Sequence, residues 1–261
     1  EDNKKIEKII IEGKKFETDK QDSENFVEKN EYNHFFTIAR GNLYALRVED
    51  GFIDWVHYLG YTSIYPPIFI AGNREYFNMA LVEKILVVAS YRNSLQMLDS
   101  KTGSIIWETL IPEIISTEPT VYQGKAYVGC LNHVCYQIDI ATGNIDGGYL
   151  SGDRPIFAPT FDKQKKWMFL TCKDYIYAYD TVTGKLVWNM ETPTDISAAA
   201  MSIYPYVIVL TTYQNSSKVS FYNLQKKEAK FANIPGVIKV KPVMAGGMLT
   251  VTTNSHIGVY G

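Results

Sequence analysis

Apolar and polar residues alternate in short runs along this chain, and the runs return in a fixed order. "HFFTIAR" is followed by "NLYAL", "ILVVASY" by "SLQML", "AYVGCL" by "HVCYQI" and "WMFLTC" by "YIYAY", each pair then leading through a turn signal into a further run. Period-two alternation bounded by turn residues predicts half-buried β-strands joined as antiparallel meanders.

The turn signals set the repeat. Corner glycines stand at Gly51, Gly103, Gly143 and Gly184, and the residue four places on is Trp55, Trp107, Gly147 and Trp188. A spacing of about 40 residues is the length of a four-stranded propeller blade. "YVIVLTTY" with "KVSFYNLQKKEAKF" makes a fifth unit with a degenerate corner, and "MLTVTTNSHIGVYG" opens a sixth that stops short. Near the N-terminus, "KKIEKIIIEG" is a strand-like run without inner strands of its own. Pairing it with the last unit closes the ring and covers edges that would otherwise associate.

The expected fold is therefore all-β: a single β-propeller domain over 1–261, with about six four-stranded blades at 24–60, 65–112, 117–150, 156–192, 198–234 and 238–261 and a strand at 1–13 completing the last. An open piece of a seven- or eight-bladed ring is the alternative. Within each blade, glycine gives the corner a positive φ without a Cβ clash, and a neighbouring Asp or Thr can hydrogen-bond the turn backbone. The tryptophan four residues on is large enough to fill the gap between wedge-shaped blades, and is read as a docking residue.

Composition narrows the function. With 46% hydrophobic and 21% charged residues the chain has the material of a folded core. A net charge of −2 argues against a nucleic-acid binder, which would carry a basic excess. No run approaches the ~18 apolar residues of a membrane-spanning helix. The charged opening "EDNKKIEKII" lacks a signal-peptide core. Three cysteines leave at least one unpaired thiol. Cys130 and Cys135 flank the hairpin "CLNHVC", so a cross-hairpin disulfide is one reading; three buried thiols serving as small hydrophobes, with Cys172, is the expectation. A zinc site at His133 lacks a clear fourth ligand, and "NSS" at Asn215 is a single glycosylation triplet. His57 and Asp54 could serve acid–base chemistry, but nothing in the sequence pairs them.

The phrases "DSKTGSIIW" and "DTVTGKLVW", with the partial copies "VEDGFIDW" and "DIATGNIDG", resemble the repeat of the pyrroloquinoline-quinone-like superfamily of propellers over roughly residues 34–192. The resemblance implies the fold and says little of function, because the superfamily includes quinone-dependent dehydrogenases, an outer-membrane assembly lipoprotein, lumenal sensor domains and C-terminal propellers of adenylating enzymes. Its dehydrogenases have eight blades and adjacent, disulfide-linked cysteines over the cofactor; this chain has neither the length nor a Cys-Cys pair. No cofactor, no metal and no enzymatic activity are expected.

Aligning the hairpins between the second and third strands gives "IARGN", "SYRNS", "CLNHV", "TCKDY", "TYQNS" and "TNSHI", which puts Arg40, Arg92, His133, Lys173 and His256 at matching places. The opposite turns carry Glu49, Asp50, Asp99, Asp139 and Asp180. The disc is expected to be cationic on one face and acidic on the other, with the cationic face receiving an acidic protein partner. The second unit is longer than the rest, the excess lying in 71–84, a second candidate for recognition. The expected function is a non-enzymatic scaffold for protein–protein interaction in a cell-envelope or membrane-protein assembly complex. The alternative is an accessory or sensor propeller, lumenal or cytosolic, of a larger protein. The resemblance leans toward an extracytoplasmic compartment, periplasm or lumen, without fixing it.

Overall fold

Backbone pairing follows the alternation closely. The computed structural model describes residues 34–60, 65–70, 83–90, 92–162, 164–226, 228–238, 242–245, 248–255 and 257–260. These form six antiparallel sheets, taken in chain order as blades 1 to 6. Blade 1 holds β1 (His34–Ala39), β2 (Asn42–Arg47) and β3 (Ile53–Tyr58); blade 2 holds β4 (Ile68–Ile70), β5 (Lys84–Ala89), β6 (Ser94–Asp99) and β7 (Ile105–Leu110). Blade 3 holds β8 (Thr120–Tyr122), β9 (Lys125–Gly129), β10 (Val134–Asp139) and β11 (Ile145–Leu150), and blade 4 holds β12 (Thr160–Asp162), β13 (Trp167–Thr171), β14 (Tyr175–Asp180) and β15 (Leu186–Glu191). Blade 5 holds β16 (Met201–Ile203), β17 (Tyr206–Tyr213), β18 (Ser216–Asn223) and β19 (Glu228–Pro235), and blade 6 holds β20 (Val243–Ala245), β21 (Met248–Thr252) and β22 (Ile257–Tyr260).

In every blade each strand pairs with the next in sequence, so the blades are simple meanders. Among the described residues blades 1 and 6 have three strands and the other four have four. The strand expected at 1–13 and most of the 71–84 insertion lie outside the described residues.

The core runs between blades, not within them. Five apolar clusters bridge successive pairs: Leu43 and Leu59 with Ile85 and Val87; Leu86 and Met97 with Val128 and Ile138; Tyr127 and Tyr149 with Met168 and Tyr179; Phe169 and Ile176 with Val207 and Val209; Leu210 and Val219 with Leu249 and Val251. Each inner strand buries both of its faces because one packs on the blade before and the other on the blade after, which is why "KILVVA" reads as a near-continuous apolar run.

The corner chemistry recurs as the sequence predicts. Asp99 Oδ1 accepts from the backbone N–H groups of Lys101 (3.0 Å) and Thr102 (2.8 Å) and from the Thr102 hydroxyl (3.0 Å). Asp139 does the same with Thr142, and Asp180 with Val182 and Thr183. The following glycines, Gly103, Gly143 and Gly184, have φ of 69°, 78° and 69°. Asn223 caps the degenerate fifth corner in the same way through Gln225 and Lys226. One β-bulge interrupts the pairing of the third and outer strands in each of blades 1 to 4, where the corner holds a glycine; blade 5, without that glycine, pairs through to its end.

These glycines also seat the tryptophans. A Cβ on Gly103 would lie 2.6 Å from Trp55 Cε3, and one on Gly143 would lie 2.8 Å from Trp107 Cδ2. Trp55 Nε1 donates to Ser100 O (3.1 Å) and Trp107 Nε1 to Ile140 O (2.9 Å), so each indole of one blade caps the corner of the next. Blade 3 has Gly147 where the indole would be, and Gly184 of blade 4 accordingly has nothing within 4 Å of its Cβ position. Tyrosines hold that junction instead: Tyr149 packs edge-on against Tyr179 at 5.2 Å, and Tyr122 stacks on Phe161 at 4.2 Å. Trp188 packs on Phe169 in the cluster of its junction, but its indole N–H is buried without a hydrogen-bond partner among the described residues. The fifth corner it would cap has no glycine.

Candidate partner-binding face

The hairpins β1–β2, β5–β6, β9–β10, β13–β14 and β17–β18 all leave their sheets at the same end, because the blades share one strand order. Arg40 lies in the β1–β2 turn, Arg92 in β5–β6, His133 in β9–β10 and Lys173 in β13–β14; all four are exposed. His256 falls outside the described residues. Arg40, Asn93, His133 and Gln214 share a left-handed backbone, with φ of 49°, 51°, 67° and 52°, and so mark equivalent positions. Arg92 precedes that position by one residue.

The linkers to the next blade cross the same end. Asn93 clamps one of them: its side-chain amide donates to Ile111 O (3.0 Å) and Glu113 O (2.6 Å) and its oxygen accepts from Ile115 N (3.2 Å). In blades 3 and 4, Ser151 and Thr192 tie the linker back to His133 O and Asp174 O. The linkers carry carboxylates, Glu113, Asp153 and Asp195, onto the face. Lys173 Nζ stands 3.8 Å from Asp195. The face is therefore mixed in charge, not uniformly cationic. Arg40 has no ion-pair partner among the described residues.

Arg92 is engaged more deeply. Its Nη1 donates to Glu108 Oε2 at 2.9 Å, while Glu108 Oε1 accepts from Ser94 Oγ (2.6 Å) and Gln96 Nε2 (2.9 Å). Hydrogen bonds from Ser94, Gln96 and Arg92 outweigh the cost of partial burial and hold the Glu108 carboxyl below the usual carboxylate range. Gln96, itself fully buried, meets His57 Nε2 of blade 1 at 2.9 Å through its Oε1. His57 thus belongs to an inter-blade polar network. Asp54 pairs with His34 at 2.6 Å, a contact the sequence could not indicate because β1 and β3 are not neighbours in the chain.

On the opposite end, Asp99, Asp139 and Asp180 spend a carboxylate oxygen on their own corners, and Asp139 also pairs with Lys125 at 2.8 Å. Asp50 is bound to Arg47 at 2.9 Å. Much of the acidity expected of that face is consumed in turns.

All three cysteines are buried free thiols. Cys130 packs in the blade 2–3 cluster and Cys135 in the blade 3–4 cluster, so they point to opposite faces of one sheet and no cross-hairpin disulfide forms. Burial pushes Cys130 and Cys172 up to about 12, and Cys135 higher still. Among the described residues no group of three His, Cys, Asp or Glu could hold a metal ion, and no helix is long and apolar enough to cross a membrane.

Residues 71–167, a little over a third of the chain, match a family model described as outer membrane protein assembly factor BamB. No curated protein matches the sequence. Among solved structures, BamB from Moraxella catarrhalis superposes with a TM-score of 0.64 at 16% identity, over 87% of this chain and 69% of that one. BBS1N, in a crystal structure with ARL6DN, gives 0.62 at 15% identity over 87% of this chain and 74% of the other. The computationally designed protein Ika8 gives 0.68 at 11% identity, over 87% and 68%. With the corner motif, the meandering blades and the indole seats in place, the chain has a β-propeller fold, and over residues 71–167 its repeats are similar to those of the pyrroloquinoline-quinone-like superfamily.

Proposed function

We propose that this propeller is a non-enzymatic docking scaffold that receives a protein partner across its hairpin-and-linker end. The observation that carries the reading is the row of exposed residues, Arg40, Arg92, His133 and Lys173, at one hairpin of four successive blades. A rigid sheet framework presenting repeated loops on one side suits recognition. His57 and Asp54, the candidate acid–base groups, are held by Gln96 and His34, which supports a structural role for both. The partner is an acidic protein in a membrane-protein assembly complex of the cell envelope, a setting favoured by the family description matched at 71–167. BBS1N, crystallised with ARL6DN, favours a second setting, an accessory propeller of a larger protein that holds a compact partner.

The test uses Arg40→Glu with Lys173→Glu, because Arg92 belongs to the half-buried network of Glu108, Ser94 and Gln96, whereas Lys173 and its neighbour Asp195 are both exposed and their charges are screened by solvent. Proteins captured by the wild-type chain at low ionic strength are identified, and their association rates with wild type and double variant are compared as salt rises. A slower rate for the variant, converging on wild type above ~0.15 M salt where the Debye length is about 8 Å, is expected. Equal rates at low salt overturn the reading.

A further inference from the structure

Blade 5 differs from blade 2 at one place that matters for binding. Asn223 caps its corner as Asp99 does, which aligns β18 with β6: Ser220 stands where Gln96 does, and Lys218 where Ser94 does. The outer-strand partner of Gln96 is Glu108; the outer-strand partner of Ser220 is Phe231. In blade 2, then, a carboxylate of the chain itself collects the polar groups facing the preceding blade. In blade 5 that carboxylate is missing.

A cleft of about 270 Å³ opens there, lined also by Pro193 and Thr194 of the linker from blade 4. Ser220 and Thr211, 4% and 6% exposed, line it, and neither side-chain hydroxyl has a hydrogen-bond partner among the described residues. Neither oxygen is among the fully buried unpartnered atoms, so both are open to the cleft and free to donate to a group that enters it. Thr211, Lys218 and Asn233 form a row across β17, β18 and β19, with Lys218 paired in register to both neighbours. The Lys218 ammonium lies 4.0 Å from the centre of the Phe231 ring and has no carboxylate partner among the described residues. The exposed side chain of Tyr213 also lines the cleft.

We propose that this cleft binds the carboxylate of an acidic side chain, Glu or Asp, on a peptide segment of a partner. Two hydroxyl donors, an amide and one ammonium match the four lone-pair sites and single charge of a carboxylate. The volume suits a side chain and is small for a drug-sized ligand. The proposal deepens the docking reading and rests on it: the β17–β18 hairpin belongs to the same end of the propeller as Arg40 and Lys173.

The test is fluorescence-polarisation binding of the full chain to a labelled Gly-Gly-Glu-Gly-Gly peptide and to its Gln counterpart. The Glu peptide is expected to bind at least tenfold more tightly. Lys218→Gln and Ser220→Ala should each weaken the Glu peptide several-fold while leaving thermal unfolding unchanged, and Lys218→Arg, which keeps the charge, should restore binding. Arg40→Glu with Lys173→Glu should leave the pentapeptide affinity unaltered, so failure at the cleft is distinguishable from failure of the wider docking face. Equal affinity for the Glu and Gln peptides, absence of binding up to millimolar peptide, or tighter binding of a neutral sugar overturns the assignment.

Discussion

Trp107 of blade 2 rests against Gly143 of blade 3 so closely that no side chain could stand between them, and its indole N–H closes the contact on Ile140 O at 2.9 Å. The corner glycine therefore answers to two demands, a positive φ and a flat seat.

Gly143→Ala and Gly184→Ala separate those demands. Both positions have φ near 70–80° and share the left-handed strain of roughly 1–2 kcal/mol. Only at Gly143 would the new methyl meet an indole, at 2.8 Å. Urea denaturation should show Gly143→Ala less stable than Gly184→Ala by about 1–3 kcal/mol, the usual range for overpacking; equal losses would remove the seating role.

Removing the indole tests the same contact from the other side. Trp107→Ala should cost about 3–5 kcal/mol, as large aromatic truncations in cores do. Conversely, Gly147→Trp should stabilise the protein by about 1 kcal/mol or more by filling the open seat at Gly184, where neither glycine has an atom within 4 Å of its Cβ position. Calorimetric unfolding of the two variants is the measurement, and a destabilised Gly147→Trp would show that the tyrosine junction leaves no room.

Acid should weaken the blade 1–2 junction through Glu108. Its carboxyl is held below the ordinary value of about 4.3 by Ser94 first, then Gln96 and Arg92, so its contribution is fully present above that value and is lost as pH falls through the lower, folded-state value. Stability measured between about pH 5 and pH 2 should fall less steeply in Glu108→Gln than in wild type. Parallel curves would show that Glu108 binds its proton equally in both states.

Thiol chemistry gives a direct check on the packing. With Cys130 and Cys172 pushed up to about 12 by burial, and Cys135 fully enclosed, the native protein should not react with a disulfide exchange reagent at pH 8, and all three thiols should react once the chain is unfolded in urea. Rapid labelling of one cysteine in the native state would place it at an opening in the blade junction.

Local turn chemistry is written in adjacent residues, which is why the corners and the repeat of about 40 residues could be read from "DSKTG" and "DTVTG". The direction of the indole contact could not, since Trp107 and Gly143 belong to different blades. The hairpin positions of Arg40, His133 and Lys173 follow from the repeat, but the Arg92–Glu108 pair depends on the bulge between Met97 and Leu98 that resets the outer strand. The cleft in blade 5 was hidden for a related reason: its polar groups lack an internal carboxylate because Phe231 stands where blade 2 has Glu108, at a register known only once strands are paired. Asn93 left one faint sign, an amide residue at a turn, where left-handed backbone is tolerated.

The indole-on-glycine contact joins unlike surfaces, the trailing edge of one blade and the leading corner of the next. It is a heterologous joint, of the kind that makes rings when the rotation per step divides a full turn and open spirals when it does not. Blade number in such a chain is an angular quantity, set by the wedge between successive sheets. The junction between blades 3 and 4, where tyrosines replace the indole, is the step at which this wedge is free to differ, and thus the one able to tune the angle between the first three described blades and the last three.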